Sequence, residues 1–193
     1  MQPIRAFISI EIPQEIKRKI SLVQEQFKTI ETHVSWVRPA SIHLTIKFLG
    51  YISEEQIPEI KNCMATASFD IPHFTINIKG MGVFPNPNYP RVIWLGLEDK
   101  FDYLFRLQKG INDCLEKKGF EPEERGFTPH LTIGRIKSLK RKNQLIRGTH
   151  LYKDINVGEI LVAKINLMRS QLNPGGSIYT TLEEINLSNK IRV

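Results

Sequence analysis

Residues His43-Leu44-Thr45-Ile46 return 87 positions later, counting from 43 to 130, as His130-Leu131-Thr132-Ile133. An internal repeat constrains the fold more than any other feature of this chain, because it predicts two similar units built to one plan. The same offset aligns more than the motif. Arg38 falls on Arg125, each five residues before its histidine. Ala6-Phe7-Ile8-Ser9-Ile10 falls on Ile93-Trp94-Leu95-Gly96-Leu97, and Phe74-Thr75-Ile76-Asn77-Ile78 falls on Leu161-Val162-Ala163-Lys164-Ile165.

Hydrophobic periodicity follows the same register. Strands are predicted over 4–12, 42–49 and 72–83, with helices from Pro13 through Phe27 and over 54–67. In the second half the pattern predicts strands at 91–97 and 130–136 and a helix over 100–118. A short basic helix near 139–147 and long strands at 154–169 and 177–187 follow. The turn-forming run Phe84-Pro85-Asn86-Pro87-Asn88-Tyr89-Pro90 separates the halves, 4–84 and 91–187. Each half is small for a core of its own, so residues 1–193 are expected to form one bilobal domain. The expected class is α+β, with two antiparallel-rich sheets facing a central cleft across a pseudo-twofold axis and helices outside.

Alternation along a strand puts His43 and Thr45 on one face and Leu44 and Ile46 on the other. The same holds for His130 and Thr132 against Leu131 and Ile133. Such polar residues are costly in a packed interior and suit a cleft. Together they surround one volume with two imidazoles and two hydroxyls. This set fits phosphodiester cleavage, in which one group takes a proton from water and another returns one to the departing oxygen. An imidazole, titrating near ~6.5, serves either role. The residues themselves leave open which histidine is acid and which is base.

The 27 lysines and arginines outnumber 20 acids, for a net charge of +7, which favours a polyanionic partner such as nucleic acid. No stretch approaches the ~20 apolar residues of a membrane span. The start of the chain lacks the pattern of a secretory signal, so a cytoplasmic location is expected. Cys63 and Cys114 are then expected as free, buried thiols. Neither has metal-ligand spacing, and no metal or other cofactor is expected.

The two motifs resemble the paired HxTx signatures of the 2H phosphoesterases. Trp36-Val37-Arg38-Pro39, Ile46-Lys47-Phe48-Leu49-Gly50, Arg91-Val92-Ile93-Trp94-Leu95-Gly96, Phe127-Thr128-Pro129-His130 and Ser170-Gln171-Leu172 through Tyr179 are similar to the RNA 2′,3′-cyclic phosphodiesterases, also called 2′-5′ RNA ligases. That resemblance implies hydrolysis of a terminal 2′,3′-cyclic phosphate to a 2′-phosphomonoester, with reversible 2′-5′ ligation as a minor activity. The expected partner is an RNA or nucleotide substrate with a cyclic phosphate end, and the expected state is a monomer. By the same resemblance His43 is the proton donor to the leaving 3′ oxygen and His130 the acceptor from water. Thr45 and Thr132 would hold the phosphate, with Arg135 as a further phosphate ligand. The position matching Arg135 in the first motif is Phe48.

Other readings compete. A basic chain with aromatics is also compatible with a non-catalytic nucleotide-binding protein, or with a related enzyme acting on another cyclic or 2′-5′ nucleotide. His33, His73 and His150 lack a motif and read as ordinary polar residues. Arg38 and Arg125 are candidates for the cleft rim. By period Phe7, Phe48, Trp94 and Phe127 belong to the core, although Phe127 is also a candidate for lining the cleft and stacking on a base. The basic run Lys137, Lys140, Arg141, Lys142 and Arg147 reads as a solvated helix face, with RNA tracking as the alternative.

Overall fold

A computed structural model describes residues 2–30, 33–122, 126–173 and 176–188. The chain order is β1 (Ile4–Glu11), α1 (Gln14–Lys28), β2 (Val34–Trp36), β3 (His43–Ile52), α2 (Ile57–Ser68), β4 (Phe74–Phe84), β5 (Val92–Glu98), α3 (Tyr103–Glu116), β6 (His130–Ile136), α4 (Lys142–Leu151), β7 (Asn156–Val162), β8 (Lys164–Asn173) and β9 (Gly176–Asn186). Two antiparallel sheets result: β3-β1-β8-β9 and β2-β6-β5-β4-β7.

The repeat offset carries β1 onto β5, α1 onto α3, β3 onto β6, α2 onto α4 and β4 onto β8. Each copy is shared between the sheets. β1 and β3 build the four-stranded sheet while β4 crosses to the five-stranded one; β5 and β6 build the five-stranded sheet while β8 crosses back. The helices follow the exchange. α1 and α4 lie against β7 and β4, whereas α2 and α3 lie against β9 and β3. One hydrophobic cluster runs through both sheets, from Ile8, Leu44 and Leu167 to Ile93, Leu95 and Leu131. Neither half of the repeat therefore buries its apolar face alone.

Local sequence explains these elements. α1 buries Ile16, Ile20, Val23 and Phe27, and α3 buries Leu104, Leu107, Ile111 and Leu115, each set on one helical stripe. Four expectations are corrected. The strand foreseen over 154–169 breaks at Ala163 into β7 and β8, which belong to different sheets, so a continuous apolar run hides a crossing. The basic helix lies at Lys142–Leu151, after Arg141 adopts a left-handed conformation. β2 forms in a segment read as loop, pairing Val34, Ser35 and Trp36 with Ile136, Arg135 and Gly134. Cys63 and Cys114 are joined by a disulfide between α2 and α3, not left as thiols. No helix among the described residues is long and apolar enough to cross a membrane.

Candidate active site

Both motif strands carry a β-bulge at the same place in the repeat. Thr45 stands opposite Ser9 but Lys47 opposite Ile8, so Ile46 is the extra residue. Thr132 stands opposite Trp94 but Gly134 opposite Ile93, so Ile133 is extra. An inserted residue reverses the alternation beyond it. Residues directly opposite on paired strands share a face. His43, Thr45 and Phe48 therefore share the face of Glu11, Ser9 and Phe7, while His130, Thr132 and Arg135 share that of Gly96, Trp94 and Val92. Without the bulges Phe48 and Arg135 would turn into the core. Phe48 is 63% exposed, against its reading as a core residue, and Lys47 is buried instead, donating to the Glu121 carbonyl.

The imidazoles are anchored alike. Nδ1 of His43 lies 2.9 Å from the Ser41 carbonyl and Nδ1 of His130 lies 2.7 Å from the Thr128 carbonyl, each two residues upstream. A carbonyl only accepts, so Nδ1 carries the hydrogen in both rings and Nε2 is the atom left to exchange protons. Both rings are half-buried outside the hydrophobic cluster. Aromatic walls fix their planes. His43 lies 4.7 Å from Phe7 and 5.0 Å, edge-on, from Tyr179. His130 meets Phe84 edge-on at 5.0 Å, and Phe84 stacks on Trp94. Gly82 makes room there, since a Cβ would lie 2.3 Å from the Trp94 ring.

β3 and β6 are where the two sheets approach, with Cα atoms within 8 Å. The side chain of Gln24 bonds the carbonyls of Val37 and Ile133 at 2.8 Å each, tying the segment before β3 to β6. Charge crosses the same gap. Burial pulls His43 below the ordinary imidazole value, the Ser41 carbonyl opposes this, and the cations of Lys17 and Arg135 add to the depression. Thr45 and Thr132 are half-buried, and their hydroxyls have no hydrogen-bond partner among the described residues. Arg135 is exposed and in no ion pair among those residues. Two imidazoles, two unpartnered hydroxyls and one guanidinium are thus what β3 and β6 present on their motif faces.

Arg38 donates from Nη2 to the Ser177 carbonyl at 3.1 Å and lies over Gly176, holding the β8–β9 hairpin that carries Tyr179. Arg125 falls outside the described residues. Phe127 sits edge-on to Phe105 of α3 at 5.4 Å. Sequence reasoning missed Lys17, which is 7% exposed on the apolar side of α1, and Asn166 of β8, 3% exposed. Neither lies in a motif. Among the described residues no three of His, Cys, Asp and Glu converge as a metal site requires.

Comparison with known proteins gives the family and agrees on the fold. A family model described as LigT like Phosphoesterase matches twice, over residues 10–94 and 95–179. An RNA 2′,3′-cyclic phosphodiesterase of Methanothermobacter thermautotrophicus is 35% identical, covering 95% of this chain and 99% of its own. One of Methanocaldococcus jannaschii, with the same name, is 39% identical over 94% of this chain and 99% of its own. Among solved structures, a protein of Thermus thermophilus superposes with a TM-score of 0.79 at 26% identity, covering 95% of this chain and 97% of that one. The E. coli LigT complexed with 3′-AMP shares the fold, with a TM-score of 0.78 at 24% identity over 97% of this chain and 99% of that one. With both motifs inside matched segments that together span most of its length, this chain belongs to the LigT-like phosphoesterase family.

Proposed function

We propose that this protein hydrolyses the 2′,3′-cyclic phosphate at an RNA end to a 2′-phosphomonoester, using His43 and His130 as an acid–base pair. The observation that carries the reading is the matched anchoring of the two rings. Each fixes Nδ1 on a carbonyl and keeps Nε2 for proton exchange beside a free threonine hydroxyl. The names of the relatives support the substrate class.

In the step proposed, water attacks phosphorus and gives its proton to Nε2 of His130. The bond from phosphorus to the 3′ oxygen breaks, and that oxygen takes a proton from Nε2 of His43. Thr45, Thr132 and Arg135 hold the non-bridging oxygens as charge shifts onto them. In the free protein the surroundings of His43 favour its neutral form. A bound phosphate anion acts in the opposite sense to Lys17 and Arg135 and restores the proton, so the acid is charged when substrate is in place. With the 5′ hydroxyl of another RNA as nucleophile instead of water, the same groups produce a 2′-5′ linkage.

Incubation with a nucleoside 2′,3′-cyclic phosphate in EDTA tests the proposal. Formation of the 2′-phosphate, lost in His43→Ala and His130→Ala, is the expected result. Binding without turnover across the range from about pH 5 to 9 where histidines titrate would overturn it in favour of a binding protein. Faster cleavage of a 2′-5′ oligonucleotide would reassign the substrate.

A further inference from the structure

We propose that one end of the five-stranded sheet, around Arg91, Lys137 and Lys140, is a surface along which RNA upstream of the reacting end lies as a single strand. The proposal rests on the phosphodiesterase reading above and concerns the part of the substrate that never reaches the two imidazoles.

Charge is distributed unevenly along this chain. From Gly126 through Lys153 there are seven lysines and arginines and no aspartate or glutamate, leaving 20 of each sign in the rest. One run thus carries the whole excess of +7. The structure divides it among β6, the connection after β6 and α4, and does not gather it on one helix face. Lys137 follows β6, and its backbone N–H donates to the carbonyl of His33, just before β2. The N–H of Ile136 donates to the carbonyl of Arg91, just before β5. β2, β6 and β5 are neighbours in the sheet, so Arg91 and Lys137 stand together at one end of it. The turn 85–91, itself free of acids, is held there by Nζ of Lys142, which donates to the Asn88 carbonyl at 3.2 Å.

Arg91, Lys137 and Lys140 are exposed and in no ion pair among the described residues. Lys19, Lys61, Lys109 and Lys118, by contrast, each meet a carboxylate. Clustered cations without acids attract a polyanion. Position selects which one. Lys137 lies seven residues beyond His130, about 20 Å along an extended strand. A nucleoside cyclic phosphate does not span that distance, whereas an RNA running in the 5′ direction from its cyclic end does. Tyr89, next to Asn88 in the same turn, is 68% exposed. Cations for the phosphates with an exposed ring for a base are the means by which single strands are held without regard to sequence.

The test compares kcat/KM for a hexanucleotide ending in a 2′,3′-cyclic phosphate with that for a nucleoside 2′,3′-cyclic phosphate, across a range of salt. The wild type is expected to favour the hexanucleotide by about tenfold or more at low salt, an advantage that salt erodes. A triple variant, Arg91→Gln with Lys137→Gln and Lys140→Gln, keeps its turnover of the nucleoside substrate and loses most of the advantage. Its slope of log kcat/KM against log salt for the hexanucleotide falls by about 2, at ~0.7 per phosphate contact. Lys137→Arg with Lys140→Arg keeps the advantage. An unchanged ratio of the two substrates in the triple variant, or a wild-type ratio of one, overturns the surface and leaves the phosphodiesterase reading standing. So does a ratio the triple variant keeps while losing wild-type binding to phosphatidylserine vesicles, which gives the patch to a membrane. Turnover of neither substrate by the wild type overturns the phosphodiesterase reading and the surface with it.

Discussion

Replacing Arg135 with alanine probes both motifs through one side chain. The guanidinium stands on the His130 and Thr132 face of β6, yet its charge depresses the proton affinity of His43 on β3. A charge-assisted hydrogen bond to a phosphate oxygen is worth ~1.5–3 kcal/mol. Arg135 is exposed, and solvent screening brings this to about 1–2 kcal/mol, which is about 5- to 30-fold in KM. A second readout follows from electrostatics. A neighbouring cation disfavours imidazolium, so its removal raises the His43 pKa and moves the limb of the pH profile set by His43 to higher pH. Steady-state kinetics on a nucleoside 2′,3′-cyclic phosphate and NMR titration of the His43 ring measure the two effects. Arg135→Lys keeps the charge and loses the planar fork, so it restores the titration more fully than KM. A wild-type KM together with an unmoved His43 titration would refute the placement of Arg135 beside the phosphate.

His43→Ala and His130→Ala should each lower kcat by ~10²–10⁴, the range for a positioned acid or base. A substrate whose leaving group needs no proton tells the roles apart: His43→Ala regains most of its activity on it, His130→Ala does not, and the reverse outcome would exchange the assignment. Thr45→Val and Thr132→Val should cost ~1–3 kcal/mol of transition-state stabilisation, read as kcat/KM; changes under twofold would remove the hydroxyls from the phosphate site. The Cys63–Cys114 bond spans a sequence separation of 51, for which the chain-entropy relation gives ~4 kcal/mol, or ~10 °C in Tm for a chain of this size. Calorimetry with and without reductant checks this, and an unchanged midpoint would deny the disulfide its stabilising role.

Much of the architecture was legible because the repeat carries two signals at once. Alternating apolar residues mark the strands, and the duplicated histidine and threonine mark the face that alternation leaves outside the core. What escaped has specific physical causes. A β-bulge has no sequence signature of its own, so straight alternation misplaces Lys47 and Phe48, before a second shift at Leu49 restores the register, and the side chains of β6 beyond Ile133. Lys47 then appears to belong beside Thr45, and Phe48 and Arg135 appear to turn inward, whereas the structure does the opposite. Ala163 passes unnoticed because an apolar strand reads the same whether it continues in one sheet or crosses to another. The cysteines lie on two helices of different halves, and their meeting depends on the exchange of elements between sheets. Lys17 and Asn166 are polar residues whose surroundings arise only on folding, so periodicity assigns them no role.

Duplication alone does not make an acid and a base, because two copies of one motif in equal surroundings hold their protons equally well. The anchoring carbonyls are alike, so the difference must come from what encloses each ring. Phe7, Tyr179 and the charges of Lys17 and Arg135 act on His43, while Phe84 is the ring against His130. Arg135 itself marks a break in the symmetry, since the same bulge in the first copy presents Phe48. The cation at one of two equivalent positions acts on His43, and the other position holds a neutral ring. In this reading the shared fold supplies the geometry of the pair, and the bound phosphate, set against the charges of Lys17 and Arg135, restores the proton that His43 needs as acid.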